Sequence, residues 1–514
     1  MRRLTATRRG PLVAFAAAAA VGVACSWWAA TGGPLLIAGW RLLLVLGAWA
    51  VAWLVAVFIA FRLPARLAVT LVVLAAVAMR LAALGGAPTT SDDLYRYAWD
   101  GRVQASGADP YANAPLAPQL TALRDGWLWP DARGCAALDR PPGCTRINRP
   151  DARTIYPPVA EAWFGAVNGA AGGHRHKTWQ AAGLATDLAV IALLLVALKR
   201  WRRDMRWVAL YALCPAPVFE FVQNGHVDGL AVALLLAAFV VALPPPRAQV
   251  TGSTAVRDVA VGLLIGAAAL VKLYPALLLV VVVTLPRPRP WLSLGRAAVA
   301  AGLLAVLTYL PHVLSVGVRV VGYLPGYLRE EHYDGGGRFL LAGALGLSGT
   351  AATVAAGASL VLALAWVVWR RPEAPRAAAV VLVVLFLSAT PVQPWYAVSA
   401  LAVASLAGWP APAAVVAAGY PYYFAVILDF RHTVGLGRVS YGAAFLAVVA
   451  ASVRTWALRG PHRRQVERSA AVEAPVSGWS VPRGEHGPAR SFGVDESLQP
   501  AGRSLSGGGG EHRS

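Results

Sequence analysis

The sequence predicts an all-α fold: a polytopic transmembrane helix bundle of about 12–14 spans with one large extracytoplasmic loop that carries short helices. Two observations of composition support this. The chain of 514 residues is 57% hydrophobic and only 14% charged, with a mean hydropathy of +0.56, whereas soluble domains hold about 25% charged residues. The third observation is that apolar runs long enough to cross a bilayer recur along the chain, with basic residues clustered between them.

The sequence contains about fourteen apolar segments that are candidates for membrane spans. The first follows a basic start and also fits a signal peptide, but its length of about 20 residues favours an uncleaved span. Two short segments around VKLYP (271–275) also fit one broken hairpin, because Pro275 removes a backbone donor. The segments lie near residues 11–30, 38–60, 66–84, 178–198, 207–222, 227–243, 257–271, 273–286, 296–313, 350–369, 376–391, 396–409, 411–428 and 439–456.

The distribution of basic residues predicts the orientation of the chain. If the N-terminus is cytoplasmic, the short connections on that side are rich in arginine, as in LKRWRRDMR (198–206), and those on the other side carry fewer cations. The net charge of +21 therefore reflects the positive-inside rule rather than a nucleic-acid partner. The sequence predicts a multi-pass plasma-membrane protein with both termini in the cytoplasm.

Four regions follow from these patterns. Residues 1–84 form N-terminal spans, residues 85–177 an extracytoplasmic catalytic loop, residues 178–458 a transmembrane bundle and residues 459–514 a disordered cytoplasmic tail. Within the loop, the stretch CAALDRPPGC makes Cys135 and Cys144 candidates for a disulfide, although two free cysteines fit the sequence equally well.

Polar and aromatic clusters collect on the predicted outer face. Because a charged side chain at membrane depth costs at least about 2.5 kcal/mol, Glu220, Asp228 and Lys272 need partners, water or a ligand there. Asp187, midway along a span, is expected to pair within the bundle. The clusters are SDDLYRYAWDG (91–101), DPYANAP (109–115), TIYPP (154–158), FEFVQNGHVDGL (219–230), VKLYP (271–275), GYLPGYLREEHYDGGGRF (322–339) and TPVQPWY (390–396).

Asp92 and Asp93 directly follow the third apolar segment. A carboxylate beside a second carboxylate and an apolar boundary can accept a proton near neutral pH. The same residues also fit the first turn of a helix, with Ser91 as its cap. Both roles are compatible.

The other polar residues suggest phosphate and sugar binding. Cationic side chains match phosphate oxygens in a partly dehydrated site, and aromatic rings can stack on sugars, although belts of interfacial Trp and Tyr are common in membrane proteins. His226 and Asp228 lie two residues apart rather than at the spacing of a helical metal pair, so no metal site is predicted, while a divalent cation remains possible. The candidate cations are Lys272, Arg96, Arg102, Arg329 and Arg338, and the candidate aromatic residues are Trp99, Tyr111, Tyr156, Trp395 and Tyr396.

These stretches resemble a known family. A long polytopic chain with a carboxylate motif in its first large outer loop is similar to the GT-C glycosyltransferases, and most of all to the actinobacterial polyprenol-phosphate-mannose-dependent mannosyltransferases. The resemblance rests on SDDLYRYAWDGRVQASGADPYANAP, TIYPP, NGHVDGLAV, VKLYP and PWY, in this order. It implies transfer of a sugar, mannose, from a polyprenyl-phosphate donor to a glycan or glycolipid hydroxyl, with inversion, at the outer surface of the lipid membrane and with no certain cofactor.

The resemblance also implies roles for individual residues. By position the catalytic base falls on Asp93, with Asp92 as the second choice. Lys272, with Arg96 or Arg338, would bind the donor phosphate. The residues expected to bind the substrates are His226, Asp228, Asn224, Tyr156, Trp395 and Tyr396.

Two other classes of protein remain open. A transporter or flippase of a lipid-linked or sugar substrate would also carry charges within the membrane, but near the midplane and at interrupted helices related by a repeat. A polymer ligase that uses lipid-linked sugars is a closer alternative. The gathering of polar residues at one surface beside a large loop favours an enzyme.

Overall fold

A computed structural model describes residues 2–244, 253–333 and 338–472 of the chain. Over these residues the chain is mostly helical and contains no strand, so the predicted all-α class is confirmed. The α-helices are α1 (Arg2–Thr31), α2 (Leu35–Ala38), α3 (Trp40–Ala60), α4 (Ala65–Ala83), α5 (Asp93–Ala105), α6 (Ala132–Ala137), α7 (Pro158–Ala171), α8 (His176–Arg200), α9 (Val208–Ala212), α10 (Pro215–Pro217), α11 (Asp228–Ala242), α12 (Thr254–Ala269), α13 (Pro290–Val316), α14 (Leu324–Glu330), α15 (Leu340–Ala344), α16 (Gly349–Arg370), α17 (Ala374–Ser388), α18 (Pro394–Ala407), α19 (Ala413–Ile427) and α20 (Thr433–Val472). Segments of 3₁₀-helix lie at Pro118–Leu123, Met205–Trp207, Tyr274–Thr284 and Gly317–Val321, and a π-helix at Val218–Gln223.

Each predicted apolar segment coincides with a helical part of the described chain. By length and composition, 7 helices can cross a membrane, or up to 8 if the pair Met205–Ala212 and Pro215–Gln223, bent by 56°, forms one span. The predicted total of about 12–14 is reached only if shorter apolar helices such as α11, α17, α18 and α19 are included. Within the bent pair, Pro215 occupies the first helical position after the break.

The structure describes only the first residues of the predicted disordered tail. The last helix runs from Thr433 to Val472, and residues 473–514, most of the predicted tail, lie outside the described residues. The compact unit that carries the predicted site ends at Arg454.

Two glycines let helices approach closely within and beside the long polar loop, residues 85–177. A Cβ at Gly101 would collide with the Phe164 carbonyl, so the absence of a side chain allows α5 to pack on α7. A Cβ at Gly183 would likewise collide with the Phe221 carbonyl of the π-helix. Glycine permits this approach because it carries no Cβ.

The polar loop is also tied to the turn that follows α12. The backbone N–H groups of Val159 and Ala160, in the first turn of α7, donate to the Leu270 carbonyl at 3.1 and 3.2 Å. Lys272 follows two residues later, between α12 and the 3₁₀-helix that starts at Tyr274. These hydrogen bonds therefore hold the start of α7 beside the turn that carries Lys272.

Asp187 has the partner that its depth in the bundle required. Its Oδ2 accepts from Arg80 Nε at 2.5 Å, and its Oδ1 accepts from the Tyr211 hydroxyl at 2.6 Å. Arg80 also donates to the Ala212 carbonyl at 2.8 Å, and both charged side chains are fully buried. The pair joins α4, α8 and α9 without an unpaired charge.

We expect Asp187→Asn to lower the free energy of unfolding by about 3–5 kcal/mol, because it leaves the buried Arg80 guanidinium without a counter-charge. Thermal unfolding of the purified protein in detergent measures the loss. The matched control is Glu373→Gln, which removes a carboxylate that is 45% exposed and pairs with Arg203; surface pairs contribute about 0–1 kcal/mol. Equal unfolding midpoints for the two variants would contradict the prediction.

Candidate active site

The site begins at the N-terminus of α5. Asp93 is the first residue of this helix, and its N-cap is Asp92 rather than the predicted Ser91. The backbone N–H of Asp93 donates to Ser91 Oγ at 3.2 Å. Its carboxylate is largely covered, with 18% of the side chain exposed, and Oδ1 accepts from Asn148 Nδ2 at 2.6 Å. The second oxygen, Oδ2, faces the imidazole of His226.

His226 lies between two carboxylates. Its Nε2 is 3.9 Å from Asp93 Oδ2, and its Nδ1 is 3.2 Å from Glu220 Oε2. The imidazole side chain is fully buried and packs against the ring of Trp395, with centroids 4.0 Å apart. The turn that carries His226 uses Gly225 at φ +72, a conformation that glycine adopts without strain.

Lys272 forms the cationic part of the site. Its Nζ is 3.7 Å from Asp228 Oδ2, at the start of α11, and the side chain is 14% exposed. The ammonium lies 5.1 Å from the ring centroid of Tyr156 and 5.0 Å from that of Tyr396. It also interacts electrostatically with Asp93. Two aromatic faces and the Asp228 carboxylate therefore surround the cation, and the charge of Asp93 acts on it from farther away.

The structure thus brings together most of the predicted site residues, which lie far apart in sequence. They come from α5, the stretch before α7, the turn before α11, the turn after α12 and the start of α18. The residues of this cluster are Asp93, Tyr156, His226, Asp228, Lys272, Trp395 and Tyr396.

Asp92 points to a different environment from Asp93. Its Oδ2 accepts from Arg140 Nη2 at 2.8 Å, and 41% of its side chain remains exposed. Partial burial raises the pKa of Asp92, while Arg140 opposes this rise. Of the two adjacent acids, Asp93 alone faces His226.

Arg96 does not join the cluster. Its Nε donates to both oxygens of Asp100 at 3.0 Å, one helical turn away, and its Nη1 donates to the Ala152 carbonyl at 2.9 Å. Burial raises the pKa of Asp100, and burial together with Asp100 raises the pKa of Glu161 well above its usual range. The guanidinium is therefore committed to neutralising Asp100 inside the loop rather than to a donor phosphate.

Arg338 lies beside the cluster but is engaged. It pairs with Glu331, donates from Nη2 to the Pro391 carbonyl at 2.5 Å, and stacks 4.7 Å from the ring centroid of Tyr333. Arg338 interacts electrostatically with Tyr327, and Tyr327 in turn interacts with Tyr396 of the cluster. Arg338 is therefore linked to the cluster only through Tyr327. It fits an outer position better than direct contact with a phosphate held by Lys272.

Asn224 supports the backbone that leads into α5. Its Oδ1 accepts from the backbone N–H groups of Thr89 and Thr90 at 3.1 and 3.2 Å, and its Nδ2 donates to Thr90 Oγ1 at 2.8 Å. All its polar atoms are thereby used within the protein. Asn224 positions Asp93 through the chain instead of reaching the cluster.

The polar loop is closed by a disulfide between Cys135 and Cys144, whose Cα atoms lie 5.8 Å apart. Arg140, the partner of Asp92, lies inside the closed segment, and Asn148, the partner of Asp93, follows it. The disulfide therefore constrains the chain that covers the start of α5.

Three residues of the site were missing from the predicted set. Tyr97 lies one turn after Asp93 on α5 and interacts with Asp93 and Asp228, so helical spacing could have identified it. Glu220 drew attention only as a buried charge. Asn148 carries no sequence signal, because its contact depends on the fold of the loop.

Among the described residues, no group of three or more His, Cys, Asp or Glu side chains is arranged to hold a metal ion. The divalent cation that the sequence leaves open stays a prediction.

The comparison with known families adds evidence of a different kind. Residues 155–394 match the family model described as Glycosyltransferase family 87, a GT-C-type family of membrane glycosyltransferases. The matched stretch covers slightly less than half of the chain and includes Tyr156, His226, Asp228 and Lys272, while Asp93 precedes it. No curated protein and no solved structure matches the chain. Over this stretch the chain is similar to family 87, and the similarity supports a glycosyltransferase.

Proposed function

We propose that the protein transfers a sugar, mannose, from a polyprenyl-phosphate donor to a hydroxyl of an extracytoplasmic glycan or glycolipid. The observation that carries the proposal is that the Asp93 carboxylate and the Lys272 ammonium belong to one cluster, in which the rings of His226, Trp395 and Tyr396 lie between them. A base and a phosphate-binding cation are the two groups that this reaction needs.

The base would act on the acceptor hydroxyl, and the cation would act on the donor phosphate. Asp93 takes the proton of the acceptor hydroxyl as its oxygen bonds to the anomeric carbon. The bond from that carbon to the phosphate oxygen breaks, and the electron pair leaves with the phosphate. Lys272 stabilises this charge, which grows as the bond breaks. One in-line displacement inverts the anomeric centre, so a β-linked donor yields an α-linked product.

The walls of the cluster suit a sugar. Tyr156 and Tyr396 flank Lys272, and apolar ring faces pack against the C–H faces of pyranoses while their edges remain available for polar contacts. Asp228 and His226 supply further groups that can hold sugar hydroxyls. Such a site needs no nucleotide, and the sequence has no glycine-rich phosphate loop after a strand.

The distribution of basic residues supports a reaction at the outer surface of the plasma membrane. The connections predicted to face the cytoplasm are rich in arginine, and the cluster lies at the opposite ends of the same helices. A donor whose lipid tail stays in the bilayer would present its phosphate at that boundary.

The direct test is sugar transfer by the purified protein in liposomes. We expect radiolabel to pass to an extracted glycan or glycolipid acceptor from polyprenyl-phosphate mannose but not from GDP-mannose. Polyprenyl-phosphate pentose serves as the matched donor control and tests the sugar. Movement of labelled donor across the bilayer without a glycosylated product would instead indicate a flippase, and transfer from GDP-mannose would contradict the proposed donor.

A further inference from the structure

Glu220 has no part in the proposed transfer step, yet burial of its carboxylate in a helix bundle costs free energy. It lies in the π-helix Val218–Gln223, part of a bent pair of mostly apolar helices, and is 1% exposed. A carboxylate at such a depth needs a partner, and ionisable residues inside membrane bundles commonly serve function. π-Helical turns are also frequent at functional sites.

The side chain of Glu220 ends a line of polar groups that starts at the proposed base. Asp93 Oδ2 faces His226 Nε2 at 3.9 Å, and His226 Nδ1 faces Glu220 Oε2 at 3.2 Å. The other oxygen of Glu220 accepts from the Tyr420 hydroxyl at 2.8 Å. Asp93, His226, Glu220 and Tyr420 thus form a continuous series from α5 to α19.

The imidazole in this series is held but not saturated. Trp395 packs on the face of the His226 ring. The backbone N–H of His226 donates to the Glu220 carbonyl at 3.0 Å. Within the described chain, neither ring nitrogen of His226 nor Oε2 of Glu220 makes a hydrogen bond that meets geometric criteria. Buried polar atoms rarely lack a hydrogen-bond partner. Hydrogen bonds between catalytic groups often shorten only when substrate binds.

We propose that Glu220 is a positioning residue that orients His226, and that His226 receives the proton which Asp93 takes from the acceptor. This inference rests on the proposed function. A hydrogen on Nδ1 of the imidazole faces Oε2 of Glu220, and Nε2 then presents its lone pair to Asp93, since the bond made by one ring nitrogen decides the state of the other.

The proton balance is simple. Asp93 gains the acceptor proton while the glycosidic bond forms, and it passes that proton to Nε2 of His226. The resulting imidazolium lies between two carboxylates, Asp93 and Glu220, which stabilise its charge. When the product leaves, Nε2 releases the proton to solvent and the carboxylate of Asp93 is ready for another acceptor.

The groups that face the imidazole set how its protonation responds to pH. Asp93 and Tyr97 come from α5, Glu220 from the π-helix, Asp228 from α11, and the uncharged Trp395 from α18, while Lys272 lies beyond Asp228. Of these, Glu220 is the carboxylate nearest to the ring. Its charge is therefore the one whose removal should matter most.

Glu220→Gln tests the inference, because the amide retains the shape and can still accept from Tyr420. We expect turnover to fall by about 10–100-fold, as for other groups that orient an active imidazole, with little change in the KM for the lipid donor. Protonation of the imidazole removes the lone pair that receives the proton, so activity should fall at low pH. Without the Glu220 charge, the low-pH limb of the rate profile should move to more acidic pH.

Glu373→Gln, in the exposed pair with Arg203, is the charge-matched control and should keep the wild-type profile. A structural defect in Glu220→Gln would lower the rate equally at every pH, and an unshifted limb would overturn the inference. If Glu220→Gln does not fold, His226→Gln supplies the test, because the low-pH limb must then change. A wild-type limb in that variant would overturn the inference as well. Absence of transfer by the wild-type protein would count against the proposed function instead.

Discussion

Asp93→Asn is expected to reduce sugar transfer by about 10²–10⁴-fold, the contribution of a general base, and to leave donor binding nearly unchanged. The amide has the size of the carboxylate but cannot take the acceptor proton. The measurement is the transfer rate from radiolabelled polyprenyl-phosphate mannose in liposomes, with donor binding followed separately.

Asp92→Asn provides the matched control, since the two acids are adjacent and differ in their surroundings. Asp92 pairs with Arg140 and remains 41% exposed, whereas Asp93 faces His226 and is 18% exposed. We expect Asp92→Asn to retain activity within a few-fold, the size of effect caused by loss of an exposed ion pair. Loss of transfer in Asp92→Asn alone would assign the base to Asp92, and full activity of both variants would contradict the proposed chemistry.

Hydropathy and charge predicted the positions of the helices, and they singled out several residues that the structure brings together in the candidate site. Every apolar segment became a helix, because a run of that composition is stable in lipid only if its backbone bonds internally. Charges at the ends of such runs are costly unless they act or pair, which is why Asp93, Asp228 and Lys272 stand out in the sequence and converge in space.

The exact form of several helices could not be predicted in the same way. The π-helix that carries Glu220 and the 3₁₀-helix after Lys272 both lie within long, mostly apolar runs of sequence. Their geometry depends on contacts with other helices, such as the approach of Gly183 to the π-helix. Hydropathy reports burial but not the hydrogen-bond register of a turn.

Partner choice was the other limit of the sequence. Arg96 is followed at i+4 by Asp100, and this spacing already favours an ion pair within the helix over a free cation. Arg338 pairs with Glu331 across residues 334–337, which lie outside the described chain, and no periodicity links the two. Asn148 reaches Asp93 from a disulfide-closed loop, a contact that tertiary structure alone creates.

Lys272→Gln is expected to lower turnover by about 10²–10³-fold, the effect of removing one group that stabilises charge in the transition state. The variant also leaves Asp228, whose side chain is fully buried, without its cation. Breaking such a pair costs about 3–5 kcal/mol of stability, so a loss of activity alone does not show that Lys272 binds phosphate.

The double variant Asp228→Asn with Lys272→Gln separates the two effects, because it removes both charges from the buried pair. We expect the unfolding midpoint to recover toward that of the wild type, since no uncompensated charge remains, while transfer stays as slow as in Lys272→Gln. If the double variant instead recovers transfer, Lys272 serves only to neutralise Asp228, and the donor phosphate must find its cation elsewhere. Arg338, linked to the cluster through Tyr327, would then be the next residue to test.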